Sequence, residues 1–112
     1  MKKTVFLMFV VFGMIGTFYI DEPLERGEVE TGYFNVRNDL NKGMDEVNVN
    51  LYVYDLGLRF TSKTSDIQKR DSVMQRIFMP IPYDVEPGEY VTKIVVSNDK
   101  YRDSKHTYLS IV

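Results

Sequence analysis

Residues 46–54 alternate without a break between apolar and polar side chains, the pattern of a half-buried β-strand. The apolar set, expected to face a core, is Val47, Val49, Leu51 and Val53, and the other set is Asn48, Asn50, Tyr52 and Tyr54. Similar stretches recur at intervals of roughly ten residues over residues 17–112, with turn residues between them. The chain therefore predicts an all-β, immunoglobulin-like antiparallel β-sandwich of about seven strands.

The seven predicted strands are separated by segments rich in proline, glycine, asparagine and aspartate, which favour turns. They are residues 17–20, 29–38, 46–54, 59–62, 72–79, 90–98 and 107–112. Gly32, inside the second strand, indicates a bulge or the close approach of another strand. Pro80 and Pro82 end the fifth strand, because proline cannot donate a ladder hydrogen bond.

Composition narrows the class of protein. A chain of 112 residues has room for one domain. It contains no alanine, which argues against a helical bundle, and no cysteine, which excludes disulfides and thiolate zinc sites. The net charge is −2, and the lysines and arginines are dispersed along the chain rather than clustered, so we expect no nucleic-acid partner.

The N-terminus has the order of an export signal. Lys2 and Lys3 precede an apolar run over residues 4–20, and Asp21 and Glu22 follow it. A charged, then apolar, then polar order is typical of a secretory signal peptide and predicts that the N-terminus stays inside. We expect the domain to lie outside the cytoplasm, at the cell surface or free in the medium.

Two units follow from this: a signal peptide or short membrane anchor at residues 1–16, and the sandwich at residues 17–112. The small residues of a usual cleavage site are missing, and as an anchor the run is short, at roughly 26 Å for a ~30 Å hydrocarbon core. Membrane contact through residues 1–20 is therefore one expectation. The alternatives are a buried strand or helix of a cytoplasmic protein, and a segment donated to a neighbouring copy.

Four tyrosines stand out as candidates for a specific role. Tyr90 follows a Pro-Gly turn and opens the penultimate strand, where sandwiches place a tyrosine corner, so we assign it a structural role. Tyr52 and Tyr54 point away from the predicted core, and Tyr33 joins them on the same criterion. Exposed aromatic side chains are enriched at interfaces, so these three are the candidate contact residues.

No constellation for catalysis or cofactor binding is evident. His106 is the only histidine, and we expect it to face solvent on the last strand, because no nucleophile elbow accompanies it. Acidic residues cluster at two turns, with oxygen ligands that suit Ca²⁺ but without its usual spacing. These residues are Asp21, Glu22, Glu25, Asp84, Glu86 and Glu89. The sequence predicts no catalytic residue, no metal ligand, no cofactor and no small-molecule substrate.

Three segments carry a resemblance to a known group. They are residues 55–59 (Asp-Leu-Gly-Leu-Arg), 81–90 (Ile-Pro-x-x-Val-Glu-Pro-Gly-Glu-Tyr) and 95–99 (Val-Val-Ser-Asn-Asp). With them, residues 17–112 resemble archaeal exported immunoglobulin-like domain proteins related to the CARDB (cell-adhesion-related) group. Arg70 departs from that pattern, since the group tends to have a turn glycine there. The motifs belong to the fold and transfer no active site.

What the resemblance implies is an exported, surface-associated module. We expect a non-enzymatic protein that acts through contacts with other proteins or by self-association. The alternative is a structural subunit of an extracellular filament or sheath, assembled through a donated N-terminal segment or strand.

Overall fold

The structure, a computed structural model, describes residues 2–112 and contains nine strands and one 3-10 turn in that range. The strands are β1 (Lys3–Val11), β2 (Met14–Glu22), β3 (Val29–Arg37), β4 (Met44–Val53), β5 (Leu58–Thr61), β6 (Ser65–Ile67), β7 (Ser72–Pro80), β8 (Gly88–Ser97) and β9 (Arg102–Ile111). The 3-10 turn, Tyr54–Leu56, joins β4 to β5. No helix of the described residues is both long and apolar enough to cross a membrane.

Two antiparallel sheets pack face to face. One has the order β1-β2-β3-β7, and the other has the order β5-β4-β8-β9, with β6 pairing with the first part of β4. This confirms the predicted all-β sandwich. The strand number is nine rather than about seven, because β1 and the three-residue β6 join the seven predicted strands.

The core lies between the sheets and follows the predicted alternation. Val47, Val49, Leu51 and Val53 are all buried, as the 46–54 pattern predicts. The strand begins two residues earlier than predicted, at Met44, because a bulge with Glu46 at a φ of 54° interrupts the alternation. The bulge puts Met44 and Val47 on the same buried side although they are three residues apart.

Two glycines allow large side chains to fill the four-stranded half of the core. A Cβ on Gly16 would lie 2.8 Å from Cζ of Phe34, and one on Gly32 would lie 3.1 Å from Cζ of Phe18. Gly32 keeps a regular register with its neighbours, so the structure resolves the predicted alternatives in favour of close approach rather than a bulge. A larger residue at either position would overfill the core.

Buried polar side chains fix the turns and the spacing of the sheets. Asn38 is fully buried, donates to the carbonyls of Lys42 (2.8 Å) and Ile67 (3.2 Å), and accepts from the amide of Leu40 (2.9 Å). Gln75 on β7 donates to the carbonyl of Val47 on β4 (3.0 Å) and so joins the two sheets. Satisfied buried polar groups of this kind hold one arrangement of the chain.

The turn before β7 contains Arg70, at the position where the resembling group tends to have glycine. Arg70 has a φ of 57°, in the left-handed region that glycine enters without steric cost. Its guanidinium donates to the side-chain carbonyl of Asn41 at 3.1 Å. The backbone conformation expected of the glycine is therefore present with a larger residue.

The N-terminal segment forms part of the sandwich. β1 pairs with β2 along its whole length, through a two-residue turn of Phe12 and Gly13. The boundary expected at residue 17 lies inside β2, and Met1 lies outside the described residues. Cleavage after residue 16 stays a prediction.

Two hydrogen bonds attach β1 and its turn to the opposite sheet. The amide of Phe12 donates to a carboxylate oxygen of Asp103 at 2.8 Å, and the ammonium of Lys105 donates to the carbonyl of Met8 at 3.3 Å. Among the described side chains of β1, only Val11 is fully buried.

Candidate functional site

Tyr52 and Tyr54 form a small aromatic patch on the five-stranded sheet. Their rings stack with centroids 5.8 Å apart and planes within 9° of each other. The Arg59 guanidinium lies 5.7 Å from the centre of the Tyr52 ring, close enough for a cation–π contact. Tyr54 belongs to the 3-10 turn rather than to the strand and is exposed.

Tyr33 lies on the other side of the molecule. It is on β3, faces outward from the four-stranded sheet, and pairs in register with Tyr19 of β2 and Arg76 of β7. The structure therefore brings Tyr52 and Tyr54 together and separates Tyr33 from them by the whole core.

Tyr90 begins the buried part of β8. Its ring is half-buried and packs against the hydrophobic core, and its hydroxyl donates to the carbonyl of Glu86, four residues upstream, at 2.5 Å. A tyrosine corner has a hydroxyl bonded to backbone a few residues upstream. The corner role of Tyr90 stays a prediction.

Two of the six acidic turn residues, Glu22 and Glu89, line one cleft. Glu22 lies beside Lys3, Glu89 and Ser110 around a shallow cleft. Burial raises the pKa of the Glu22 carboxyl above its ordinary value of 4.5; Glu89 adds to this, whereas the Ser110 amide and Lys3 oppose it. Within residues 2–112, no three acidic or histidine side chains gather closely enough to hold a metal ion.

His106 and a cleft beside β7 offer no catalytic arrangement in the described part of the chain. His106 is exposed on the outer face of β9, opposite Lys93. A cleft of about 640 Å³ separates the loop after β5 from β7. Its lining residues are Thr61, Lys63, Thr64, Ser65, Met74, Gln75, Arg76 and Phe78, which include no carboxylate and no imidazole. General acid–base chemistry at neutral pH relies most often on those two groups.

The outer face of the four-stranded sheet is an exposed apolar surface, of which the sequence alone indicates only Tyr33. We call it the apolar face: Phe6, Met8, Val10, Ile15, Val29, Tyr33, Met74 and Phe78, all exposed. Phe6, Met8 and Val10 are 60–67% exposed, although each is a large hydrophobic residue. Exposed apolar residues clustered in this way mark interaction sites more often than scattered ones do.

Cross-strand pairing arranges this face in rows. One row runs Phe6, Tyr19, Tyr33, Arg76 from β1 to β7, and the next runs Met8, Thr17, Asn35, Met74. A signal for it was present in the sequence: β1 is apolar at every position from Val5 to Val11, as in strands covered on both sides. The same run is what an export signal looks like.

The outer face of the five-stranded sheet is polar by comparison. Its rows run Arg59, Tyr52, Lys93, His106 and Thr61, Asn50, Val95, Ser104. Val91 and Tyr108 form an exposed pair on the same face, while Val95 is buried. The other members of these rows are charged, amide or hydroxyl side chains, which are ordinary on a solvated antiparallel sheet. The two outer faces therefore differ in character, and the apolar face is the candidate functional surface.

Comparisons with known proteins support the fold. No protein-family model matches the chain, and no curated protein matches its sequence. A CARDB domain from Pyrococcus furiosus, solved in complex with di-metal ions, is similar with a TM-score of 0.61. The match covers 99% of this chain and 89% of that one, at 10% sequence identity.

Two larger proteins contain a similar sandwich. One is a family 123 glycoside hydrolase from Clostridium perfringens (TM-score 0.55, 14% identity), and the other is an alkylpurine DNA glycosylase from Pseudomonas fluorescens bound to abasic-site DNA (TM-score 0.54, 17% identity). Each match covers 79% of this chain but only 21% and 27%, respectively, of those proteins. At these identities the likeness extends to the fold alone. The chain is thus similar over nearly its whole length to a CARDB domain, with an immunoglobulin-like sandwich.

Proposed function

We propose that this protein is a non-enzymatic module that is exported and works through protein–protein contacts at the cell surface. The observation that carries the proposal is the apolar face, a broad exposed hydrophobic surface on a sandwich whose described clefts lack a catalytic set of side chains. The similarity to a CARDB domain supports the same reading by analogy of fold.

Export is proposed from the N-terminal sequence. Lys2 and Lys3, the apolar run after them, and Asp21 with Glu22 give the order that translocation machinery recognises. Residues 1–16 would then serve as a signal peptide or as a short membrane anchor. In either case β1 would leave the sandwich, and the contact surface of the exported module would be what stays of the apolar face on β3 and β7, namely Val29, Tyr33, Met74 and Phe78.

A second candidate is a structural subunit that donates its N-terminal strand to a neighbour. The observation in its favour is the turn between β1 and β2, where Phe12 has a φ of 53°. A bulky residue in the left-handed region costs about 1–2 kcal/mol. Opening this turn relieves that cost, so β1 is poised to pair with a β2 of another copy.

Intact mass and N-terminal sequencing of the protein from its native cells test the proposal, together with its cell fraction. A mature chain beginning near Thr17 in the medium, or a full chain in the membrane fraction, agrees with export. A chain that keeps Met1 and is found as a cytosolic monomer contradicts it. Electron microscopy of the cell surface then separates single modules from filaments, the result expected of the second candidate.

A further inference from the structure

We propose that the apolar face is the contact surface for a second copy of this chain. The apolar faces of the two copies pack against each other. The two-fold axis that relates the copies runs parallel to the strands and passes between β2 and β3. This inference rests on the proposed function in one respect, namely that the partner is a protein. The inference goes further, because it names the partner and the geometry.

The area of the face is sufficient for a specific dimer. Its four strands are each nine residues long. At ~4.8 Å between strands and ~3.3 Å per residue, the sheet covers roughly 570 Å². Two copies would bury about 1,100 Å² in total, above the ~1,000 Å² that a specific interface needs.

Charge does not oppose such a contact at the rim. Lys2 forms an ion pair with Glu30, and Asp21 accepts a hydrogen bond from the Thr4 hydroxyl at 2.6 Å. Arg37 pairs with its neighbour Asp39 at 3.0 Å. Lys2 and Arg37 therefore have their counter-charges within one copy, so bringing two faces together does not leave these two cations unpaired.

The centre of the face is complementary to itself under this axis. A two-fold axis parallel to the strands keeps each row at its height and exchanges β1 with β7. Arg76, at the β7 end of its row, then lies over Phe6 of the second copy, and Phe6 of the first copy lies under Arg76 of the second. The dimer therefore contains two equivalent contacts between a guanidinium and an aromatic ring.

The neighbouring row matches in the same way. Met8 on β1 lies over Met74 of the second copy, and both are more than half exposed in one chain. Flexible methionine side chains adapt to one another at contacts of this kind. A foreign partner has no need of such matched halves, and this self-complementarity is why we assign the face to a second copy.

Cysteine cross-linking tests the geometry, since the chain has no cysteine of its own. Met8→Cys and Met74→Cys are made as separate variants of the full chain, whose intact mass verifies that β1 is retained. A bismaleimide reagent that spans the ~10 Å between packed sheets is then added. We expect covalent dimers when the two variants are mixed, and few when either is alone, because like positions lie ~17 Å apart.

Sedimentation equilibrium of the unmodified chain and of two charge variants gives the second readout. We expect a dimer at micromolar concentration, a loss of affinity of at least tenfold for Met8→Lys, and little change for the matched control Val91→Lys. Val91 is also an exposed strand residue, on the outer face of the opposite sheet. Circular dichroism verifies that both variants remain folded.

Four results overturn the inference. They are a chain that is monomeric at all concentrations, an equal effect of the two lysine variants, cross-linking of Met8→Cys with itself, and a monomer that instead binds vesicles of phosphatidylcholine and phosphatidylglycerol. Self-linking would indicate edge pairing of β1, and vesicle binding would indicate a lipid surface. These results concern the full chain that keeps β1, whereas the export test asks where the chain goes and whether residues 1–16 are kept. A mature chain that begins near Thr17 would support export and would lack Phe6 and Met8, and with them this contact in the mature protein, so failure here and failure of the export proposal are distinguishable.

Discussion

Single side chains hold the loops of this sandwich in place, since no disulfide can do so. Asn38 makes three hydrogen bonds in a fully buried position, and Gln75 crosses between the sheets. In the described residues, every buried side-chain nitrogen or oxygen has a partner. A buried polar group that loses its partner costs about 1–3 kcal/mol, so the turns depend on a few identifiable residues.

The hydroxyl of Tyr90 provides one measurable case. Tyr90→Phe removes the hydrogen bond to the Glu86 carbonyl and keeps the ring, so we expect a loss of about 0.5–1.5 kcal/mol in the free energy of unfolding. Urea denaturation measures it. Tyr83→Phe is the matched control, because Tyr83 is 83% exposed, and an equal loss there would contradict a corner role for Tyr90.

Glu22 provides a test that depends on pH. Its pKa is raised in the folded state, chiefly by burial, so the folded chain binds more protons than the unfolded chain between pH 4.5 and the raised value. The contribution of Glu22 to the free energy of unfolding is fully present below pH 4.5, and it falls as the pH rises from 4.5 through the raised pKa. Glu22→Gln is therefore expected to raise the melting temperature at about pH 7, and to lose that advantage below pH 4.5.

The control for Glu22→Gln is Glu28→Gln, which removes an equal charge from an exposed position. Melting curves of the two variants and the parent over the same pH range separate a local effect from one of net charge. A gain for both variants, or a gain for Glu22→Gln that grows on acidification, would count against the assignment.

At the scale of elements, the packing of β2 against β3 depends on a missing side chain. A Cβ on Gly16 would lie 2.8 Å from Phe34 and 3.0 Å from Val11. We expect Gly16→Ala to lower the free energy of unfolding by about 1–3 kcal/mol, because the core must shift to admit the methyl group. Thermal and urea denaturation measure the loss.

Gly88→Ala is the control for that substitution. The added Cβ there would be no closer than 3.9 Å to Tyr90, and the backbone angles are ordinary. We expect no loss, or a gain of a few tenths of a kcal/mol from the stiffer unfolded chain. Equal effects at the two glycines would show that the Phe34 contact is not the cause.

Seven strands and the class of fold could be predicted from the sequence, because the alternation within the strands and the turn residues between them indicate the same structure. It was insufficient for β1, because an apolar run of this length reads equally as a two-sided buried strand and as an export signal. The short, polar β6 has no alternation to detect. Tyr33 was grouped with Tyr52 and Tyr54 because outward positions on different sheets look alike in a sequence.

At the scale of the whole molecule, one outer face is polar and the other is apolar. If two copies meet at the apolar face, dimerisation adds to stability by mass action. We expect the melting temperature of the full chain to rise by roughly 2–4 °C for each tenfold increase in protein concentration. Differential scanning calorimetry over a hundredfold range measures this.

Met8→Lys should weaken that concentration dependence, and Val91→Lys should leave it intact. A melting temperature of the parent chain that does not change with concentration would contradict stabilisation by a partner copy. The measurement is independent of cross-linking, because it follows unfolding rather than proximity.

The polar side chains of β9 that face β1 affect what a chain without β1 would expose to water. β9 points Asp103, Lys105 and Thr107 toward β1, whereas Leu109 and Ile111 on the same side of that strand are buried in the core. A chain that has lost its first strand would therefore expose charged and hydroxyl groups there, which water solvates readily. Val5, Leu7 and Val11 of β1 pack against the core beside these groups, so loss of the first strand would uncover apolar surface as well.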